Sequence, residues 1–311
     1  MSIIRDLSEL KKPLKNPVLT IGNFDGVHKG HLALFNKVKE VAKEIKGTSV
    51  VMTFYPHPIK VLGNKDGPPL ITPIEQKLSL IKKAGIDIIL CLPFTKEFAK
   101  ISAKEFVEKI LVEKIGVRCV VVGYDFAFGK GREGDISFLK EMGKRFGFDV
   151  IVIEPVSING TVVSSTKIRE LVQEGRIDEA KILLGRNYQI EGIVVKGKDR
   201  GAKILGYPTA NLNLIDELTP KKGVYAVRVY VEDKVYDGVA NIGYNPTFGD
   251  KSFSVETHII GFKGNLLGKK IRVEFVKRLR DEKRFKDPKE LSLQISKDIE
   301  EAKRCLLSSK D

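Results

Sequence analysis

In the first half of the chain, short runs of apolar, largely β-branched residues alternate with stretches whose apolar positions recur every three or four residues. Val18-Leu19-Thr20-Ile21, Val50-Val51-Met52-Thr53-Phe54, Ile86-Asp87-Ile88-Ile89-Leu90, residues 117–122 and Val150-Ile151-Val152-Ile153 read as buried strands. Between the first two, Leu32, Phe35, Val38, Ala42 and Ile45 fall on one face of a helix. Thr72-Pro73-Ile74-Glu75 predicts a helix start with Thr72 as its cap, and Ser102-Ala103-Lys104-Glu105 predicts a capping box. This alternation predicts an open, parallel α/β sheet.

The pattern changes near Gly185, which suits the C-terminal end of a helix over 177–184. Beyond it, short strand-like segments are joined by turns. Residues 224–230 and 234–240 flank Val231-Glu232-Asp233 as a hairpin, and 253–260 and 271–276 flank a turn with Gly264-Asn265. The expectation is a small antiparallel barrel or sandwich. Asp287-Pro288-Lys289-Glu290 then opens a last helix, with Leu291, Ile295, Ile299, Ala302 and Leu306 on one face. The boundary is placed at about residue 185, giving domains 1–185 and 186–311.

A length of 311 residues fits two such domains, and 42% hydrophobic residues can furnish a core for each. No run approaches the roughly 18–20 apolar residues of a membrane span, and the start lacks the layout of a secretory signal. Cys91, Cys119 and Cys305 are far apart and form no CxxC pair, which favours a reducing, cytoplasmic setting over a disulfide framework or thiolate zinc site. The net charge of +14 changes less than it promises. Basic residues are interleaved with acidic ones, as in Lys277-Arg278-Leu279-Arg280-Asp281-Glu282-Lys283-Arg284, and there is no Trp or basic-aromatic repeat. That reads as a solvated face rather than a nucleic-acid stripe, and it equally suits small anionic substrates.

One segment carries candidate chemistry in the first half. Gly22-Asn23-Phe24-Asp25-Gly26-Val27-His28-Lys29-Gly30-His31 follows the first strand and opens the first helix. Helix starts at the carboxyl ends of parallel strands present unpaired N–H groups to anions. Gly22, Gly26 and Gly30 allow close backbone approach, and two imidazoles three residues apart can both donate to one phosphate. Spacing alone leaves two further readings open: ordinary polar turn histidines, or a zinc pair with no evident third ligand.

His28-Lys29-Gly30-His31 matches the HxGH signature of nucleotidylyltransferases, and with its lead-in it resembles the bacterial bifunctional riboflavin kinase/FAD synthetases. Three more segments carry the resemblance: Phe54-Tyr55-Pro56-His57-Pro58, Gly123-Tyr124-Asp125-Phe126-Ala127-Phe128-Gly129 and Val163-Ser164-Ser165-Thr166-Lys167-Ile168-Arg169. It implies that FMN phosphate attacks the α-phosphorus of ATP. His28, His31 and Arg169 would then be catalytic, and Gly22, Phe24, Gly30, Ser164, Ser165 and Thr166 would hold phosphates. Phe54, Pro56, Pro58, Asp125 and Phe128 would meet the flavin. Asp125 stands where some relatives have Asn.

The second half holds Gly197-Lys198-Asp199-Arg200-Gly201-Ala202-Lys203-Ile204-Leu205-Gly206-Tyr207-Pro208-Thr209-Ala210-Asn211. It is not a Walker A loop, since no Gly-Lys-Ser/Thr ends it. By composition it is either a glycine-rich nucleotide loop or a surface loop closed by a Pro-Thr turn. Its PTAN core is similar to the riboflavin kinase motif. The resemblance implies ATP contacts at Gly197, Gly201, Lys203, Pro208 and Asn211, and Mg²⁺ held by Thr209 and Asn211, whose neutral oxygens suit it. Asn241-Ile242-Gly243-Tyr244-Asn245-Pro246-Thr247-Phe248-Gly249 and Val255-Glu256-Thr257-His258 also look like family segments. Glu256 would be the base for the riboflavin 5′-hydroxyl, although a carboxylate in a strand is ordinarily a solvent-facing residue. The implied enzyme makes FMN and then FAD, with ATP as co-substrate, Mg²⁺ as counter-charge and no tightly bound redox cofactor.

Overall fold

The computed structural model describes residues 2–10, 13–63, 67–196, 207–214, 218–244 and 253–308. They form two compact units, Met1–Ser165 and Thr166–Asp311. The first contains β1 (Ser2–Ile4), β2 (Pro17–Ile21), α1 (Lys29–Glu44), β3 (Thr48–Tyr55), α2 (Pro58–Leu62), α3 (Ile74–Lys83), β4 (Ile88–Pro93) and α4 (Ala103–Glu105). A π-helical run over Phe106–Ile115 continues α4, followed by β5 (Cys119–Gly123), α5 (Ile136–Phe146), β6 (Asp149–Ile153) and a short hairpin of β7 (Ser157–Ile158) and β8 (Thr161–Val162).

Six parallel strands form one sheet in the order β1-β4-β3-β2-β5-β6. Side chains alternate between its two faces, and both faces are buried on the four inner strands, while the edge strands β1 and β6 are only partly covered. Leu19, Val50, Met52, Leu90 and Val120 pack with Phe106, Leu111, Leu139 and Met142, whereas Val18, Val51, Ile89 and Val121 pack with Phe35 and Val38 of α1 and Leu78 and Ile81 of α3. The chain runs outward from β2 through β3 to β4, then returns to β5 on the other side of β2. This reversal opens the crevice where such sheets bind ligands, at the carboxyl ends of β2 and β5.

Three local expectations are corrected. The edge strand β1 was not read from the sequence. The strand expected at 86–90 begins at Ile88, because Asp87 is held by Ser49, whose N–H and hydroxyl donate to its carboxylate at 2.9 and 2.6 Å. Thr72 does not cap α3; Pro73 occupies the cap position, and the Thr72 hydroxyl is engaged with Asp25 and Gly26 instead. Ser102 does cap its helix, accepting from the Glu105 N–H at 3.1 Å.

Thr20, at the centre of β2, is fully buried with no hydrogen-bond partner for its hydroxyl. Thr20→Val should therefore raise the unfolding free energy by about 1 kcal/mol, a change that urea titration would read, because an isosteric methyl carries no desolvation cost. Burial pushes the Cys119 thiol up to about 11 and Cys91 upward as well, which keeps both unreactive near neutrality.

The second unit contains nearly all of α6 (Ser165–Gln173), α7 (Ile177–Leu184), β9 (Tyr188–Val195), β10 (Thr209–Asn213), β11 (Gly223–Val231), β12 (Lys234–Tyr244), β13 (Phe253–Ile259), β14 (Lys270–Arg280) and α8 (Pro288–Leu307). Its strands close an antiparallel barrel in the order β10-β13-β12-β11-β14-β9, with β9 paired to β10. Of the two sheet architectures expected, the barrel is the one found. α8 is capped by Asp287, which accepts from the N–H groups of Lys289 and Glu290. Its Ile299, Ala302 and Leu306 cover Val224, Ala226, Val239 and Val276 on the barrel's outer side. The buried Asp298 takes three hydrogen bonds of 2.7–3.1 Å from Arg280 of β14 and a fourth from Gln294. Asp298→Ala would leave the partly exposed Arg280 with the Asp281 carbonyl and should cost about 1.5–3 kcal/mol, read as a lower thermal midpoint for the barrel.

Candidate active sites

The loop from β2 to α1 is backbone-strained. Phe24 and Val27 have φ of +50° and +39°, and Gly26 has +88°. Positive φ is costly for a β-branched residue, and such strain concentrates where function over-determines the backbone. Asp25, buried beneath the loop, holds it in place. Its carboxylate accepts from the Ile71 N–H at 3.1 Å, the Thr72 N–H at 3.0 Å and the Thr72 hydroxyl at 3.2 Å, and that hydroxyl accepts from the Gly26 N–H at 3.0 Å. The loop thus delivers His28 to the cap of α1, where its Nδ1 accepts from the His31 N–H at 3.3 Å. A neutral ring accepting at Nδ1 carries its proton on Nε2, which is then a donor.

The two imidazoles stack, with centroids 3.5 Å apart and planes at 19°, and Phe24 meets His31 edge-on. A side chain at position 30 would press on the His28 ring at 3.1 Å and reach the Val163 carbonyl at 3.5 Å, so glycine lets the 163–165 segment come close. Ser165 donates to the Asp25 carbonyl at 2.9 Å, tying that segment to the histidine loop. Ser164 is half-buried in the first unit; Thr166, exposed, and Arg169, half-buried, lie on α6 in the second.

Beside the loop, the end of β3 carries Phe54, followed by a cis peptide bond to Pro56 and then Pro58 at the start of α2. Phe54 and Phe128 are more than nine-tenths buried and belong to a connected set of rings with Phe94, Phe98, Phe106 and Phe126. Pro56 and Asp125 are exposed, as are Tyr55, Ile59, Leu62 and Tyr124. The result is an apolar rim over an aromatic floor.

In the barrel, Thr209 and Asn211 lie on β10, not in a loop, and both face outward while Ala210 and Leu212 point inward. Asn211 is registered opposite Glu256 of β13, which on its other side is opposite Asn241 of β12. Cross-strand partners share a face, so Asn211, Glu256 and Asn241 form one row on the outside of the barrel. Ser254 donates to Glu256 at 3.4 Å. His258 is opposite Thr209, contacts the Pro208 carbonyl at 2.9 Å and meets the Tyr207 ring edge-on. Gly197, Gly201 and Lys203, and residues 245–249, lie outside the described residues.

Comparison with known proteins settles the family. Residues 10–167 match the FAD synthetase family model and 184–306 the riboflavin kinase model. The bifunctional riboflavin kinase/FMN adenylyltransferases of Buchnera aphidicola (Schizaphis graminum strain), Escherichia coli K12 and Bacillus subtilis are 39%, 37% and 38% identical. The alignments cover 98%, 96% and 95% of this chain and 98%, 96% and 94% of theirs. The chain belongs to the bifunctional riboflavin kinase/FMN adenylyltransferase family. A solved structure described as a macrolide-efflux protein from Streptococcus pneumoniae shares its fold over 97% of this chain and 98% of its own, with a TM-score of 0.85 and 31% identity. The efflux description is that protein's own.

Three residues at the site of the α/β unit escaped sequence reading or were read for another role. Asp25 was visible only as part of its motif. Thr72 looked like a helix cap, and Lys77 was not singled out. Lys77 is instead 6% exposed, and its ammonium donates to the Asn23 carbonyl at 2.9 Å, the Thr53 hydroxyl at 3.0 Å and the Phe54 carbonyl at 3.3 Å. Burial pulls its pKa below the ordinary lysine range. Among the described residues, no group of three or more His, Cys, Asp and Glu side chains could hold a metal ion, and no helix is long and apolar enough to cross a membrane.

Proposed function

We propose that the two units divide two ATP-dependent reactions: the barrel phosphorylates riboflavin to FMN, and the α/β unit adenylylates FMN to FAD. The observation that supports the assignment is that the histidine pair lies in the α/β unit and Glu256 in the barrel. The stacked histidines head α1 at the reversal of the sheet, and Glu256 stands between two asparagines on the barrel's outer face.

In adenylylation, an oxygen of the FMN phosphate bonds to the α-phosphorus of ATP as the bond to pyrophosphate breaks. No protein nucleophile is needed, and catalysis rests on positioning and on stabilising charge. His28 and His31 donate to the triphosphate, aided by the N–H groups at the head of α1. Gly22, Phe24 and Gly30 shape that loop. Ser164, Ser165 and Thr166 supply hydroxyl contacts, and the family likeness gives Arg169 the same duty toward phosphate. The flavin lies on the rim of Pro56, Pro58 and Asp125, with Phe54 and Phe128 as its apolar floor.

In phosphorylation, Glu256 takes the proton of the riboflavin 5′-hydroxyl as its oxygen bonds to the γ-phosphorus and ADP leaves. Thr209 and Asn211 share the Glu256 face and offer neutral oxygens, a donor set that fits Mg²⁺ shared with ATP phosphates. A bound Mg²⁺ would neutralise phosphate charge. Gly197, Gly201, Lys203 and Pro208 are assigned to the nucleotide. The functional boundary is set at residue 185; α6 and α7 belong to the barrel's unit without carrying its motifs. Location in the cytoplasm, where riboflavin and ATP meet, completes the reading. Incubation with riboflavin, ATP and Mg²⁺ followed by chromatography of the flavins tests it: FMN appears first and FAD second, and absence of either product removes that half of the assignment.

A further inference from the structure

Lys77 stands apart from every motif residue, yet its ammonium is enclosed where the two ligand segments of the α/β unit meet. Asn23 belongs to the loop that delivers the histidines; Thr53 and Phe54 immediately precede Tyr55, the last residue of β3, the strand that leads into the flavin rim. All three Lys77 acceptors are neutral oxygens, and the Thr53 hydroxyl itself donates to the Asn23 carbonyl at 3.1 Å, closing a triangle. Among the described residues none of its hydrogen-bond partners is a carboxylate. The buried Asp25 carboxylate lies near enough to favour the charge, but burial outweighs it and leaves the ammonium disfavoured, and a methionine of similar length would fill the space without that cost. Packing alone does not account for a lysine here. What lysine adds is a set of directed donors that fix three oxygens from two segments relative to one another.

We propose that Lys77 is a positioning residue for adenylyl transfer, clamping the histidine loop to the end of β3 so that the flavin phosphate is held in line with the α-phosphorus of ATP. The proposal rests on the assignment of FMN adenylylation to this unit. Without the clamp each segment keeps its own ligand contacts, but their mutual placement loosens. A misplacement of about 1 Å can cost about 100-fold in rate. The loss therefore appears in kcat rather than in either KM.

The test is Lys77→Met in the full-length protein, assayed with supplied FMN and ATP. Rates are divided by the fraction of molecules that bind FMN, counted by titration of flavin fluorescence, and riboflavin phosphorylation by the same sample is the internal control. The expected result is a kcat for FAD formation about 10–100-fold lower per binding-competent molecule, both KM values within about threefold, and unchanged phosphorylation. Thr53→Val, which is nearly isosteric and removes two sides of the triangle, should lower kcat by a smaller factor of about 3–10. It decides the matter alone if Lys77→Met does not fold. A kcat equal to the parent's per binding-competent molecule overturns the proposal and leaves Lys77 a packing residue. A parent protein that makes no FAD from FMN overturns the underlying assignment instead.

Discussion

Alanine at His28 or at His31 should lower FAD formation from FMN by about 10²–10³-fold and leave riboflavin phosphorylation at the parent rate. The size is that of a lost donor to a charge-developing phosphate, about 2.7–4 kcal/mol of transition-state stabilisation. The selectivity follows from placement, since both histidines lie in the α/β unit and the kinase motifs lie in the barrel. His28 also caps α1, so alanine there removes a helix cap worth about 1 kcal/mol. His28→Asn separates the two roles: asparagine is a good cap but brings no imidazole, so this variant should keep the stability of the parent and still lose FAD formation. Pyrophosphate release with supplied FMN is the measurement. Near-parent release from the alanine variants at both positions would mean that the stacked pair is a turn structure and that the donors lie elsewhere.

What could be read in the sequence was whatever is written in local periodicity or in a contiguous motif. The strands at 18–21 and 50–54 announce themselves because both sheet faces are buried there and every position is apolar or β-branched; the strand at 150–153, expected to be buried as well, is an edge strand and only half-buried. β1 could not, being three residues long and defined only by its pairing with β4. β10 was obscured because Pro208 precedes it and because two of its outward residues, Thr209 and Asn211, are of the kind that favour turns. At the sites, the histidine loop and the Glu256 strand were legible as motifs. Their support was not. Thr72 is drawn from its expected cap by Asp25, 47 positions earlier, and Lys77 reaches back 54 positions to Asn23. A charged residue in an amphipathic helix reads as surface unless its partners are known, and those partners are neutral oxygens that leave no charge pattern in the sequence.

Glu256→Gln should lower riboflavin phosphorylation by about 10²–10⁴-fold while supplied FMN is still converted to FAD. A primary hydroxyl is a weak nucleophile at neutral pH, and a carboxylate positioned to take its proton as the phosphoryl group arrives is worth that factor. Position favours Glu256 for the task. It is half-buried on the outer face of β13, in a row with Asn211 and Asn241 and next but one to His258 on the same strand. Glutamine preserves the length, the strand and the capacity to accept the hydrogen bond from Ser254, and it removes the charge and with it the basicity. The variant should therefore fold, bind riboflavin and ATP with affinities close to the parent's, and fail at the chemical step. Both half-reactions are measured on the same purified protein, with riboflavin binding followed by its fluorescence. If Glu256→Gln phosphorylates riboflavin at nearly the parent rate, Glu256 is a solvent-facing strand residue and another group takes the proton.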